Sequence, residues 1–377
     1  MIGIYGGAFD PPHMEHKRII LEIMREYRLQ KVVLVPSGNS PHKDLATPYE
    51  ARREMVETAF AGMNCVIDDI ECSFSGRAYS SEVLPFLKEK YGDIAFIIGG
   101  DSLLHLDRWH EPQEILKICP LIVIPRGEEA IGALERAADR FVASWGGSIT
   151  ISKAVRGKTV SSSELRAALE LGMEHPALDP SITPIIEKYG LYKTHSAMIE
   201  RVRAALPEKR WDHTCKVVLT GLRLNAELGL PSESVFIACL LHDCMKYSEF
   251  VHDGVPRDTV GTKVMHAFNG AEEARIAYGI TDEDVINAIR YHTTGRAGMS
   301  TLEKLVYLAD MIEPNRHFEG VDELRELTDE DFEDGFAECI RRSYESLQAK
   351  GKPIYYLTVE CYEYYCKGDR NGERTTR

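Results

Sequence analysis

Long apolar runs are missing from this 377-residue chain, and none reaches the ~18–20 residues that would span a bilayer. The opening segment, MIGIYGGAFDPPH, has neither the basic lead nor the apolar stretch of a secretory signal. Positive charge is also scarce. Lys and Arg number 45 against 59 Asp and Glu, a net charge of −14. Such a surface argues against non-specific binding to nucleic acid or to anionic membranes, both of which need a basic patch to displace counterions. The nine cysteines are odd in number and form no CxxC pair, which speaks against a disulfide framework and predicts buried thiols in a reduced cytoplasmic compartment. There is no Gly/Ser-rich or Pro-rich linker and no internal repeat. What remains, 44% hydrophobic and 28% charged residues, is the balance of a soluble globular enzyme, and the length favours two domains. A homo-oligomer stays open.

Two patterns divide the chain near residue 194. In the first half, the short apolar runs IGIY (2–5), VVLVP (32–36), CVIDDIE (65–71), AFIIGGD (95–101) and LIVIPR (121–126) alternate with helical stretches. That alternation predicts βαβ units with a parallel sheet, and ligands at the carboxyl ends of the strands. From about Ser196 onward strand-like runs vanish and helical periodicity takes over, which predicts an all-α half. The domains are therefore expected at 1–194 and 195–377.

Directly after the first run, Gly6 and Gly7 lead through Phe9 and Asp10 to His13 and His16 at the start of a helix. Glycines let the backbone approach a phosphate, and a helix N-terminus offers free N–H groups and the positive end of its dipole. Histidines three residues apart share a helix face. This stretch resembles the HxGH-type nucleotidyltransferases, and more closely the bacterial nicotinate-nucleotide adenylyltransferases. The resemblance runs through PSGNSPHKD with His42 and Lys43, Arg52, Tyr79-Ser80-Ser81-Glu82, IIGGDSLLHLDRW with Asp101 and Trp109, and VSSSELR with Ser161, Ser162 and Arg166. It implies a Rossmann-like α/β domain that joins ATP to nicotinate mononucleotide, with Mg2+ accompanying ATP. His13 and His16 would meet the ATP phosphates. Arg166, Ser161 and Ser162 would cradle the β- and γ-phosphates, Asp101 would take ribose hydroxyls, and Trp109 would stack on the pyridine ring. Lys43 would contact phosphate. One position departs from the pattern: Glu15 stands where the family has glycine. It either points to solvent and complements the helix N-terminus, or brings negative charge to the triphosphate and weakens transfer.

In the second half the signal is His213, His242, Asp243, His266, His292 and Asp310, mostly set in apolar helical stretches. One histidine there is an ordinary core residue; four with two aspartates are better explained by shared metal ions. The pattern resembles HD-domain phosphohydrolases, and most closely the bacterial enzymes that split diadenosine tetraphosphate symmetrically, through LLHDCMK, RYHTTG and YLADMIEPNR. That implies a helical bundle with a dinuclear transition-metal site, iron first and manganese second, bridged by Asp243. Lys246, Arg296 and Arg316 are candidate phosphate contacts. Together the halves point to a bifunctional enzyme acting on ATP, nicotinate mononucleotide and diadenosine tetraphosphate. The alternative is a degenerate, regulatory nucleotide-binding first half beside an HD hydrolase with another nucleotide substrate.

Overall fold

The computed structural model describes residues 1–38, 47–125, 130–153, 160–351 and 353–367. The chain forms two compact units, Met1–Arg166 with Glu174–Tyr192, and Ala167–Met173 with Lys193–Arg377.

The first unit is built on one six-stranded parallel sheet: β1 (Ile2–Gly7), β2 (Val32–Pro36), β3 (Cys65–Ile67), β4 (Ile94–Gly99), β5 (Leu121–Ile124) and β6 (Ile149–Ile151). Its helices are α1 (Met14–Glu26), α2 (Tyr49–Ala59), α3 (Ser80–Tyr91), α4 (Gly100–Leu104), α5 (Pro112–Ile118), α6 (Ala130–Trp145), the first part of α7 (Ser162–Glu170), whose residues from Ala167 on belong to the second unit, and α8 (Thr183–Tyr189). Strands β2 and β5 are buried along their whole length, as continuous Val/Ile/Leu runs must be when both sheet faces are covered. At Gly3 of β1 a Cβ would come within 2.8 Å of side-chain atoms of Ile97 and Leu29, so only glycine lets these elements close. The expected strand over 65–71 stops at Ile67. There Asp68 turns inward, accepting hydrogen bonds from Ile70 N–H (3.1 Å), Tyr91 hydroxyl (2.7 Å) and Lys90 (2.8 Å), and the chain enters a short 3₁₀ turn. Strand β6, three half-exposed residues at the sheet edge, carries too little periodicity to be foreseen.

Strand order is β3-β2-β1-β4-β5-β6, so the winding reverses between β1 and β4. The carboxyl ends of β1 and β4 diverge there, which is where such sheets bind ligands. Arg52 of α2 is only 1% exposed. Its guanidinium donates to the carbonyls of Thr47 (3.2 Å), Ala8 (2.8 Å) and Ser37 (2.6 Å). It thereby ties the segment after β1 to the one after β2.

The second unit is helical: α9 (Ser196–Ala205), α10 (Glu208–Leu228), α11 (Ser232–Leu241), α12 (Met265–Ala277), α13 (Glu283–Tyr291), α14 (Thr301–Ile312), α15 (Val321–Glu330), α16 (Phe332–Ala349) and α17 (Tyr356–Tyr362). Helix α11 has apolar residues on most of its circumference, and it lies at the centre with six of its ten residues buried. Its approach to α10 runs over Gly221, where a Cβ would sit 2.7 Å from Cys239 Sγ. All nine cysteines are free, six of them buried, and burial pushes the Cys215 thiol up to about 12. The six buried thiols, all pushed up by burial, stay protonated at neutral pH.

Replacing Arg52 with Met should leave three carbonyls short of their charged donor, at a cost on the order of 3 kcal/mol. Chemical denaturation of the full chain checks this, with the loss expected in the transition that includes the first unit.

Candidate functional sites

At the crevice between β1 and β4 opens a cavity of about 360 Å³. Gly6 and Gly7 line it from the end of β1, His13, Glu15 and His16 from the entry to α1, and Ser80 from the first residue of α3. Asp101, Trp109 and Ser162 complete the wall. His13 N–H donates to His16 Nδ1 at 3.2 Å, and the two imidazoles stack with centroids 3.6 Å apart and planes 18° apart. The accepting Nδ1 leaves the His16 proton on Nε2, a donor suited to anionic oxygen. Trp109 packs edge-on against Phe96 at 6.4 Å.

Four expected site residues do not line this cavity. Phe9 takes a left-handed backbone (φ 49°), is 2% exposed, and packs its ring edge against His16 at 5.2 Å, so it supports the histidine from behind. Buried Asp10 accepts from the Tyr192 hydroxyl at 2.8 Å. The Arg166 guanidinium turns onto the Asp10 carbonyl (2.8 Å) and Ser163 Oγ (3.1 Å), and Ser161 Oγ accepts from Glu164 N–H at the start of α7. His42 and Lys43 lie outside the described residues. Glu15 does not face solvent: it is 7% exposed, and its carboxylate is held by Arg18, with Nε 2.9 Å from Oε2 and Nη2 2.5 Å from Oε1.

The second unit brings all six predicted ligands together. His213 comes from α10, His242 and Asp243 from the end of α11, His266 from α12, His292 from the end of α13 and Asp310 from α14. Asp243 Oδ1 lies 3.0 Å from His266 Nε2 and 3.5 Å from His292 Nε2. Its Oδ2 lies 3.5 Å from His242 Nε2, while Asp310 Oδ1 is 3.0 Å from His213 Nε2. Two groups emerge, His213–His242–Asp243 and Asp243–His266–His292, with Asp243 common to both.

Each imidazole is anchored through its other nitrogen. Nδ1 of His242, His266 and His292 donates to the carbonyls of Cys239 (2.7 Å), Lys263 (2.9 Å) and Ile289 (2.8 Å). His213 Nδ1 instead meets the carboxylate of Glu313 at 3.0 Å. All four Nε2 atoms are thereby set as lone-pair donors, the usual preparation for a metal. Despite the short distances, His213 Nε2, His242 Nε2 and Asp243 Oδ1 have no hydrogen-bond partner among the described residues. Buried polar atoms left this way are costly, and a metal ion would satisfy them. Burial pushes His266 down to about 4 and holds His242 below its ordinary value, so both are neutral at pH 7. Burial pushes the Asp243 carboxyl up, but the histidines around it, His242 first, outweigh that and keep it ionised.

Three cations ring the carboxylates. Arg210 Nη1 lies 3.0 Å from Asp243 Oδ2, Lys246 Nζ lies 2.8 Å from His266 Nε2, and Arg316 pairs with Asp310. Arg296 is paired differently: its guanidinium holds buried Glu303 (2.8 and 2.6 Å), and it covers the Tyr291 ring.

Residues 4–168 match the cytidylyltransferase-like family, and residues 210–315 match the HD domain. The symmetrical bis(5'-nucleosyl)-tetraphosphatase of Bacillus subtilis is 35% identical over 176 residues, 44% of this chain and 95% of that protein. A probable nicotinate-nucleotide adenylyltransferase of Geotalea uraniireducens is 31% identical over 51% of this chain and 97% of its own length. The chain belongs to both enzyme families. A probable nicotinate-nucleotide adenylyltransferase/Ap4A hydrolase of Mycoplasma genitalium is 25% identical over 83% of this chain and 87% of that protein, the two families in one polypeptide.

In the HD domain, Arg210 and Glu313 had escaped the motif pattern. Arg210 lies one helical turn before His213, a spacing that puts both on one face and was a usable signal. Glu313 follows Asp310 by three residues, but its partner His213 is 100 residues away. In the cytidylyltransferase-like domain the unforeseen group is half-buried Glu71, which lines the cavity and accepts from Gly38 N–H at 3.0 Å. Burial pushes its carboxyl up from 4.5 to about 7.

Glu313→Gln should weaken binding of the metal near His213 by about 10–100-fold. Calorimetric titration of the metal-stripped protein reads this directly. Between about pH 4.5 and 7 the folded Glu71 holds a proton that the unfolded chain releases, so stability falls as pH rises through that window. Glu71→Gln should remove that slope, raising stability at pH 8 relative to wild type more than at pH 4.

Proposed function

We propose that the chain is a bifunctional nucleotide enzyme. Residues 1–194 transfer the adenylyl group of ATP to nicotinate mononucleotide, giving deamido-NAD and pyrophosphate. Residues 195–377 hydrolyse diadenosine tetraphosphate to two ADP. The observation that carries the first activity is the gathering of Gly6, Gly7, His13, His16, Asp101 and Trp109 in one cavity at the sheet's switch point. For the second it is Asp243 shared between two histidine groups.

In the transfer, an oxygen of the mononucleotide phosphate bonds to the α-phosphorus of ATP while the bond from that phosphorus to the bridging oxygen breaks, and pyrophosphate leaves with the electron pair. Catalysis of this kind is positioning plus charge neutralisation. His16 presents Nε2–H to phosphate oxygens, His13 stacks beside it, and the α1 N-terminus adds the positive end of its dipole. Asp101 is placed for the ribose hydroxyls and Trp109 for the pyridine. Mg2+ enters with ATP, held mainly by phosphate oxygens.

In the hydrolase, His213, His242, Asp243 and Asp310 would hold one metal, and Asp243, His266 and His292 a second. Imidazole and carboxylate donors without thiolate suit iron or manganese. Bound there, such a pair supplies Lewis acidity that activates a water and neutralises the phosphate. The water oxygen bonds to one inner phosphorus, the bridge to the other inner phosphate breaks, and both halves leave as ADP. Arg210, Lys246 and Arg316 offer the positive charge that a polyphosphate needs on an otherwise acidic protein. The Glu15–Arg18 pair supports the catalytic reading of the first half over a purely regulatory one, because it gives the acidic residue a cationic partner.

Protein purified anaerobically and supplied with Fe(II) or Mn(II) should form deamido-NAD from ATP and nicotinate mononucleotide, and only ADP from diadenosine tetraphosphate. AMP plus ATP as products would contradict the symmetric reading. His13→Ala should lower transfer by about 100-fold or more and spare hydrolysis, and Asp243→Asn the reverse, because each removes groups that act on developing charge in one site alone.

A further inference from the structure

Glu15 is an anomaly in an anion site. It sits in the first turn of α1 between His13 and His16, is 7% exposed, and lines the same cavity. An uncompensated carboxylate there would repel a triphosphate, and partial burial would make that repulsion stronger than at an open surface. Arg18 follows three residues later on the same helix face and is not itself part of the cavity wall. Its fork closes on both Glu15 oxygens, at 2.9 and 2.5 Å, and its remaining arm reaches Glu22 Oε2 at 2.6 Å.

We propose that Arg18 is a positioning residue for nucleotide binding: by holding and neutralising the Glu15 carboxylate it lets a cavity with an acid in its wall accept the triphosphate of ATP. The inference rests on the adenylyl-transfer reading of the first unit and adds a residue to it. Helix α1 is held by Ile19, Ile20 and Ile23, each buried, and these do not depend on Arg18. The pair is also a local solution. Where glycine would leave an opening, Glu15 adds bulk and charge, and the charge is cancelled by a side chain one turn away.

The test is a charge cycle on the full-length protein, read as the Kd for Mg-ATP by calorimetry and as KM for ATP against kcat in the transfer assay. Arg18→Ala should weaken ATP binding and raise KM by on the order of tenfold, with a smaller change in kcat. Arg18→Lys, which keeps the charge but loses the fork, should fall between. Glu15→Gln/Arg18→Ala should return Kd to within about threefold of wild type, since the carboxylate in the cavity wall is removed with its partner and Glu22, which loses the other arm of Arg18, is not part of that wall. Unchanged Kd in Arg18→Ala, or a loss that Glu15→Gln does not relieve, overturns the proposal. Should Arg18→Ala fail to fold, Glu15→Gln is compared with the double variant, and a tenfold difference between those two overturns it equally. Wild-type protein that binds ATP but forms no deamido-NAD would overturn the transferase reading while leaving the Kd comparison decisive; wild-type protein that does not bind ATP overturns both.

Discussion

The carboxylate of Asp243 is the constraint around which the helical unit is arranged. It is 1% exposed, in the middle of an apolar bundle, and an ionised group in that position is tenable only where positive or electron-accepting partners converge on it. Arg210 and Lys246 bring positive charge from the elements beside it, and the imidazoles at the ends of α11 and α13 and on α12 bring nitrogen donors that, together with the carboxylate, suit an electron-accepting metal ion. No single helix supplies more than part of that compensation. The close approach of α10 to α11 over Gly221, and the ending of α11 and α13 at their histidines, place the partners within reach. The four Nδ1 anchors then hold each ring with its Nε2 free to join the carboxylates in holding a metal ion.

The first unit meets the opposite problem. The proposed transfer requires it to attract anions on a protein with a net charge of −14, and the means it has for this are backbone geometry and neutral or shared charge. The chain turns sharply after β1, a helix begins at the turn, and two stacked histidines cap it. Arg52, a buried cation of α2, directs its guanidinium to three carbonyls and ties the segments after β1 and β2 together. Acidic residues are tolerated at the cavity by two different means: Glu15 is bonded to Arg18, and Glu71 retains a proton up to about pH 7.

Much of this was legible in the residues, and the limits follow from sequence distance. The parallel strands were readable because buried strands are written as unbroken Val/Ile/Leu runs, and the six candidate ligands because ionisable residues in apolar helices stand out. Gly6, Gly7, His13 and His16 form a local cluster, so their joint presence in the cavity needed no long-range information. Arg166 did. Its expected place at the phosphates depended on which way its side chain turned, and that is set by the Asp10 carbonyl 156 residues earlier. Asp10 in turn is claimed by Tyr192, and Glu313 by His213 across 100 residues. The place of Arg296 after the HTTG segment makes it a candidate phosphate contact, and buried Glu303 seven residues on holds its fork. Residues that support a site from behind leave weak local patterns, and here they are the ones that sequence reading assigned to substrate or missed.

The shared carboxylate can be tested most directly by counting metals. Metal-stripped protein titrated with Mn(II) under anaerobic conditions should take up two ions per chain, and Asp243→Asn should weaken both binding steps together. One ion per chain, or loss of a single step in the variant, would contradict a carboxylate common to both histidine groups.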